Sequence, residues 1–302
     1  MGVKRSRTAM EGQPSSDAAA AQRQSPLMPM FEHFRAELDE HHDRRERIIK
    51  ASRDITAASK KIIFTLQRIR HLNQDLPAHA VKGNQPYHTT IATQLASVSA
   101  DLQGLNAYRY SRQISGGCQE WMEAVSFQHY IETATLLSYA DARTQIKALD
   151  REGPGVELSA EDYVLGIYDM TGELMRFAIT GMAMGGSLPT IPASSPQSQP
   201  QAQPTDSDTS LMDIDNDQPA PSPTTQRSLL TDMRALRSAL ESLDARGGPF
   251  AKEADKKADV MRTSVEKVEK ALYGLIVRGA ERPKGWNPDA EFAGGRAVEV
   301  EA

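Results

Sequence analysis

One cysteine in 302 residues, Cys118, leaves no internal disulfide framework and no cysteine-rich zinc site. That scarcity suits a reducing compartment, cytoplasm or nucleus. No apolar run approaches the roughly 18 residues of a membrane span, so no membrane partner is expected. The opening MGVKRSRTAMEGQPSSD has no apolar core of the kind a secretory leader carries. Val3-Lys-Arg-Ser-Arg7 reads either as a short nuclear signal or as part of a solvated tail, and the tail is the commoner case. GxxxxGK[ST], GxSxG and a strand-following GxGxxG are all missing, which removes support for nucleotide-hydrolase, esterase and dinucleotide readings. Histidines form no set with ligand spacing, since His41 and His42 are adjacent and face different ways on a helix. No run reads as a strand and no period repeats.

What is present is helical periodicity. Phe31, Phe34, Leu38, Ile48, Ile49, Ser52, Ile55, Ile62, Ile63, Leu66 and Ile69 recur at three- and four-residue spacing, with no proline or glycine from 31 to 72. A helix of about 40 residues is about 60 Å long, which suits a bundle or an assembly. Pro77 and the Gly83–Pro86 cluster predict a loop. A second helix is expected from Thr89 to Leu105 on Ile91, Leu95, Val98, Leu102 and Leu105, then a short helix or turn over 108–115. Gly116-Gly117 is either a break or a tight helix contact. A third helix is expected from Gln119 to Leu137. Ser159-Ala-Glu-Asp162 has capping-box form and opens a helix to about Met182. Helices resume at 229–243, on Leu230, Met233, Leu236 and Leu240, and at 250–279, on Val260, Val265, Val268, Leu272, Leu275 and Ile276.

The predicted organisation is an N-terminal tail (1–27), a first helical part (28–186), a Pro/Ser/Gln/Asp-rich disordered insertion (187–225), a second helical part (226–284) and a mobile C-terminal tail (285–302). The fold class is all-α, a bundle of six to seven helices with a very long first helix.

Two pairs of acids stand in otherwise apolar helices: Glu120/Glu123 in QEWMEAVSFQHYI and Asp169/Glu173 in GIYDMTGELMRF. Each pair projects from one helix face. Buried like charges repel and lose hydration, so they persist only protonated, paired or bound to a cation. Four converging carboxylates would suit Mg²⁺ or Mn²⁺. Gly166, one turn before Asp169, leaves room for a ligand. The bland alternative is an exposed acidic stripe with Glu173 paired to an arginine, and for Glu120 and Glu123 an early helix position favoured by the dipole. His129 reads as a proton-transfer or phosphate group, or more simply as a hydrogen-bonded histidine. Cys118 has no His/Asn partner in view and reads as a packed small residue.

Between Arg44 and Arg70 nine Lys/Arg face two acids, Glu46 and Asp54, a local basic surface in a chain of net charge −5. Arg44, Arg53, Lys60 and Lys61 are the candidate RNA-backbone contacts, the alternative being a solvated face paired with neighbouring acids. Few aromatics interleave on this helix, so little base stacking is expected from it.

FEHFRAELDEHHDRRERIIKASRDITAASKKIIFTLQRI, QEWMEAVSFQHYIETATLLS, DYVLGIYDMTGELMR and GPFAKEADKKADVMRTSVEKVEKALYGLIVRGAERPK resemble the translin-associated factor X branch of the translin superfamily, in a fungal-type form with a long insertion. The resemblance covers most of 31–182 and 226–284. It implies a seven-helix all-α fold, a translin subunit as partner in a closed hetero-oligomer, and single-stranded RNA or DNA as ligand. It also implies a Mg²⁺-dependent endoribonuclease activity, linked to passenger-strand removal in RNA silencing and to processing of transfer-RNA precursor fragments. Its acidic catalytic and metal positions fall on Glu120, Glu123, Asp169 and Glu173. The competing expectation is a non-catalytic structural or RNA-binding partner of translin, in which the acids are interface ion pairs.

Overall fold

The computed structural model describes residues 27–191, 227–243 and 248–278, and among these every regular element is helical. Nearly all of the N-terminal tail and the insertion, and the whole C-terminal tail, lie outside the described residues. Eight helices follow in order: α1 (Met28–Leu66), α2 (Ala78–Ser99), α3 (Leu105–Arg109), α4 (Ser111–Thr133), α5 (Tyr139–Ala148), α6 (Ala160–Gly185), α7 (Leu229–Glu241) and α8 (Gly248–Arg278). None is long and apolar enough to cross a membrane. The chain forms two units, residues 1–47 and 48–302. In the first, Phe31, Phe34 and Leu38 are exposed, and ion pairs join Arg35 to Asp39 and Arg44 to Glu40.

The second unit holds the core. Along α1, Ile48, Ile55, Ile62, Ile63 and Leu66 are buried at helical spacing. The helix ends at Leu66, one turn short of the last periodic residue, Ile69, although Ile69 and Leu72 still reach the core from the segment that follows. Helix α6 is central: α4, α5, α7 and α8 all pack against it. It begins as predicted, with the Ser159 hydroxyl accepting from the Asp162 N–H at 3.0 Å, and stops at Gly186, whose φ of 67° suits a residue without Cβ.

Several boundaries differ from expectation. The Gly83–Pro86 cluster is not a loop but lies inside α2. Pro86 is exposed, so the Lys82 carbonyl left without its helical donor faces water and the helix tolerates the ring. Leu105 is 86% exposed rather than core. Helix α4 starts at Ser111, eight residues earlier than expected, and runs straight through Gly116-Gly117. These glycines mark a close approach: a Cβ on Gly117 would lie 3.0 Å from the Ser52 carbonyl oxygen of α1. The Gly117 N–H donates to Ser52 Oγ at 3.0 Å. Helix α5 was not foreseen, yet Ser138 caps it through the Asp141 N–H at 3.1 Å, the same Ser-x-x-Asp pattern that opens α6. On α8, Val260 and Ile276 are exposed. Small residues take the buried face instead: Ala254, Ala258 and Ala271, beside Met261, Val265 and Val268.

The two ends of the insertion meet. Thr190 and Ser228 form an isolated antiparallel bridge, and the Ile191 N–H donates to the Arg227 carbonyl at 3.3 Å. Arg227 donates to the Ala134 carbonyl at 2.7 Å and to Asp232, which also accepts from the buried Tyr130 hydroxyl at 2.8 Å.

Gly166 decides how near α4 and α6 come. A Cβ there would lie 2.6 Å from Met122 Cβ and 2.9 Å from the Gln119 carbonyl oxygen. The space expected for a ligand is therefore filled by the neighbouring helix. Gly166→Ala must push the two helices apart, at a cost of roughly 1–3 kcal/mol. Differential scanning calorimetry should show the melting temperature down by about 5 °C, and an unchanged value would mean the contact is slack.

Candidate metal and RNA site

Sequence alone places each acid pair on a helix; packing of α4 on α6 brings the pairs together. Glu120 and Glu123 leave α4 toward Asp169 and Glu173 of α6, and all four are partly buried. Glu120 is ten residues into its helix, so dipole preference at a helix start does not account for it. Burial, then the charges of Asp169, Glu120 and Glu173, push the Glu123 carboxyl up to about 8, against the opposing pull of Lys257. Glu120 is also raised, by burial first, while Lys60 pulls it back. The charges of Asp169, Glu120 and Glu173 all bear on Glu123, as expected of carboxylates in one region.

Each acid except Glu123 has a partner. Glu120 pairs with Lys60 Nζ at 3.7 Å. Asp169 pairs with Lys257 Nζ. Glu173 accepts from Gln67 Nε2 at 2.8 Å and lies 3.6 Å from Arg176 Nε, which is the pairing the bland alternative expected for it. No hydrogen bond or ion pair to another described residue reaches the Glu123 carboxylate. Among the described residues, no three acidic, thiol or imidazole groups converge tightly enough to hold a metal ion as the side chains stand. The donor set itself suits a hard divalent cation: four carboxylates, one without a partner, and an ammonium already seated on Asp169 where positive charge is needed.

Lys257 was missed from the sequence. It lies on α8 beside the buried Ala254, Ala258 and Met261, and its side chain is 21% exposed. Its ammonium is held by Asp169, by Gln119 Oε1 at 3.4 Å and by the Leu165 carbonyl at 3.5 Å. Gln119 in turn donates to Asp162 at 3.0 Å, so a polar chain runs from the α6 cap to the acid cluster. The available signal was a lysine at the edge of an alanine-rich buried stripe.

The remaining candidates fall as follows. Cys118 is buried, and burial with the Asp162 charge holds its thiol far above the usual range, as expected of a packed residue and not a nucleophile. His129 contacts Thr135 Oγ1 at 3.1 Å, near the end of α4, the hydrogen-bonded role of its two readings. Arg53, Lys60 and Lys61 are exposed on α1, with Lys60 joining the basic stripe to the acid cluster. Arg44, in the first unit, is engaged with Glu40 at 2.6 Å.

An all-helical bundle with paired acids on adjoining helices and a basic stripe beside them defines a class, and comparison with known proteins gives it a family. The translin family model matches residues 43–279, and the chain belongs to that family. Translin-associated protein X of Rattus norvegicus is 31% identical over 278 residues, spanning 86% of this chain and 82% of the relative. The Schizosaccharomyces pombe homologue is 30% identical over 257 residues, spanning 83% and 89%. Translin of Mus musculus is 27% identical over 160 residues, spanning 52% and 69%, so the X-type relatives match more of the chain. Two solved structures share the fold at 17% identity. AfC3PO has a TM-score of 0.54 over 83% of this chain and 100% of that one, and AfC3PO with duplex RNA has 0.52 over 84% and 100%.

A pH prediction follows from Glu123. Its carboxyl titrates near 8 folded against an ordinary 4.5, so the protonated form is favoured by folding. The associated stability is complete below about 4.5 and is lost as pH rises through about 8. In chelator, Glu123→Gln should melt close to the wild type at pH 5 and roughly 10 °C above it at pH 8.5. Equal melting at both values would mean that Glu123 is ionised and hydrated throughout.

Proposed function

We propose that this chain is the catalytic subunit of a translin-containing endoribonuclease that cleaves single-stranded RNA, of the kind that removes passenger strands or processes transfer-RNA precursor fragments. Glu120, Glu123, Asp169 and Glu173 would hold Mg²⁺, with Mn²⁺ as substitute. The observation that carries this reading is the set of four acids gathered between α4 and α6, with Glu123 held up to about 8 and unpaired. Structural proteins seldom keep such repulsion without use. Family membership, and the X-type relatives in particular, support the same reading.

A divalent cation bound by these acids supplies Lewis-acid polarisation of a phosphodiester and a lowered pKa for attacking water. The chain's own groups have separate tasks. Glu120 and Asp169 keep the site anionic, and Lys60 and Lys257 present ammonium groups to phosphate oxygens beside them. Gln67 and Arg176 fix the Glu173 carboxylate, which makes it either a ligand or an orienting group. Arg53 and Lys61 extend the positive stripe that positions backbone phosphates without reading bases. The exposed Phe31, Phe34 and Leu38 of the first unit suit a translin subunit as cover. A single buried thiol suits the reducing cytoplasm and nucleus, where we place the complex.

A second reading, a non-catalytic structural or RNA-binding partner of translin, is favoured by the ion pairs that already occupy three of the four acids. One experiment separates the two. A labelled single-stranded RNA is incubated with this chain co-purified with translin, in Mg²⁺ or in EDTA, beside Glu123→Ala and Asp169→Ala complexes. The enzyme reading expects Mg²⁺-dependent cleavage, reduced at least about 100-fold in each variant, with assembly intact by size exclusion. An assembled wild-type complex that leaves the RNA whole establishes the second reading.

A further inference from the structure

Phe64 is 56% exposed, and among the described residues it is the only large apolar side chain left open between Leu38 and Val81. Its place on α1 is specific. Residues 60 and 64 stand at i and i+4 on one face of α1, and Gln67 follows in the turn that continues it, its N–H donating to the Ile63 carbonyl at 2.9 Å. Lys60 reaches Glu120 and Gln67 reaches Glu173, so the ring lies between two side chains that each touch the acid cluster. The Arg68 guanidinium sits over the ring, 4.8 Å from its centroid, and Lys60 and Lys61 are exposed beside it. Phe and Arg are common at protein interfaces too, but the exposed Lys60 and Lys61 on the same stretch of α1 are of the kind interface cores exclude. The same combination is what unpaired nucleic acid uses: a flat face for a base and positive charge for the phosphates on either side.

We infer that Phe64, with Arg68, is a stacking platform for one unpaired nucleobase of the RNA strand, seated beside the acid cluster. The inference rests on the ribonuclease reading for its ligand, and adds the source of single-strand selection. Along a duplex every internal base face is covered by its neighbours, so away from the two ends the ring has nothing to stack on. In a single strand one base can turn onto it, which fixes the register of the backbone as it crosses Lys60 toward Glu120. Stacking is sequence-tolerant because every base has a π-face, so selection is for strandedness and not for sequence. The helix is poor in aromatics, and the platform uses its one exposed phenyl ring between Leu38 and Val81.

The test uses the complex of this chain with translin, held in EDTA so that binding is read without cleavage. Probes are an end-labelled single-stranded RNA, the same strand carrying 2-aminopurine or an abasic nucleotide at successive positions, and a blunt duplex. Phe64→Ala is expected to weaken single-strand binding about tenfold, to leave duplex binding unchanged, and to abolish 2-aminopurine quenching at one position. Phe64→Trp is expected to keep wild-type affinity. At the quenched position an abasic nucleotide should remove the difference between wild type and Phe64→Ala. Single-strand affinity unchanged in an assembled Phe64→Ala complex overturns the platform, and so does loss of assembly in that variant, which would make Phe64 a subunit contact. Failure of the wild type to cleave in Mg²⁺ overturns the ribonuclease reading alone, because stacking is measured separately.

Discussion

The approach of α4 to α6 at Gly166 is the constraint on which the rest depends. Without a Cβ at that position, the α6 backbone meets Met122 and the Gln119 carbonyl directly. Helices held that close bring side chains one turn further along into a common, partly dehydrated space. Glu123 and Asp169 are such side chains, and their repulsion follows from the packing. Apolar burial along α6, from Ile167 through Leu174 to Ala178, supplies the force that keeps the acids together.

Electrostatic relief is then shared unevenly. Lys60 and Lys257 come from helices on opposite ends of the chain, α1 and α8, and each takes one acid. Gln67 and Arg176 take a third. The arrangement is stable without further charge, yet it leaves one carboxylate unaccommodated. Two ammonium groups thus stand at the margin of the acid cluster, one brought by α1 and one by α8. On the function proposed above, a phosphodiester would meet the ammonium groups at the margin while its counter-ion met the acids.

Much of this was legible in the chain. The apolar periodicity of α1, α6 and α7 marked them correctly, and Ser159 announced its helix through ordinary capping chemistry. Residue spacing also marked the four acids. What spacing does not contain is which helix faces which, so the meeting of α4 with α6 had to come from packing. Local rules misled at Pro86, where solvent on the outer side of α2 made a breaker harmless, and at Val260 and Ile276, where large apolar residues point outward and alanines pack inward. Lys257 carried only a weak local signal, its place at the edge of the alanine-rich stripe, against its exposed neighbour Lys256. Only a partner on a helix distant in sequence, Asp169, sets it apart.

The junction at Thr190 and Ser228 has a consequence of another kind. Because the two ends of the intervening stretch are fastened to each other and, through Arg227 and Asp232, to Ala134 and Tyr130, the bundle is closed before that stretch begins and after it ends. Closing a longer loop costs only about 0.6 kcal/mol per doubling of its length. Insertion and deletion there are thus almost free of selection for folding. A change of length between residues 191 and 227 therefore leaves in place the contacts that close the bundle.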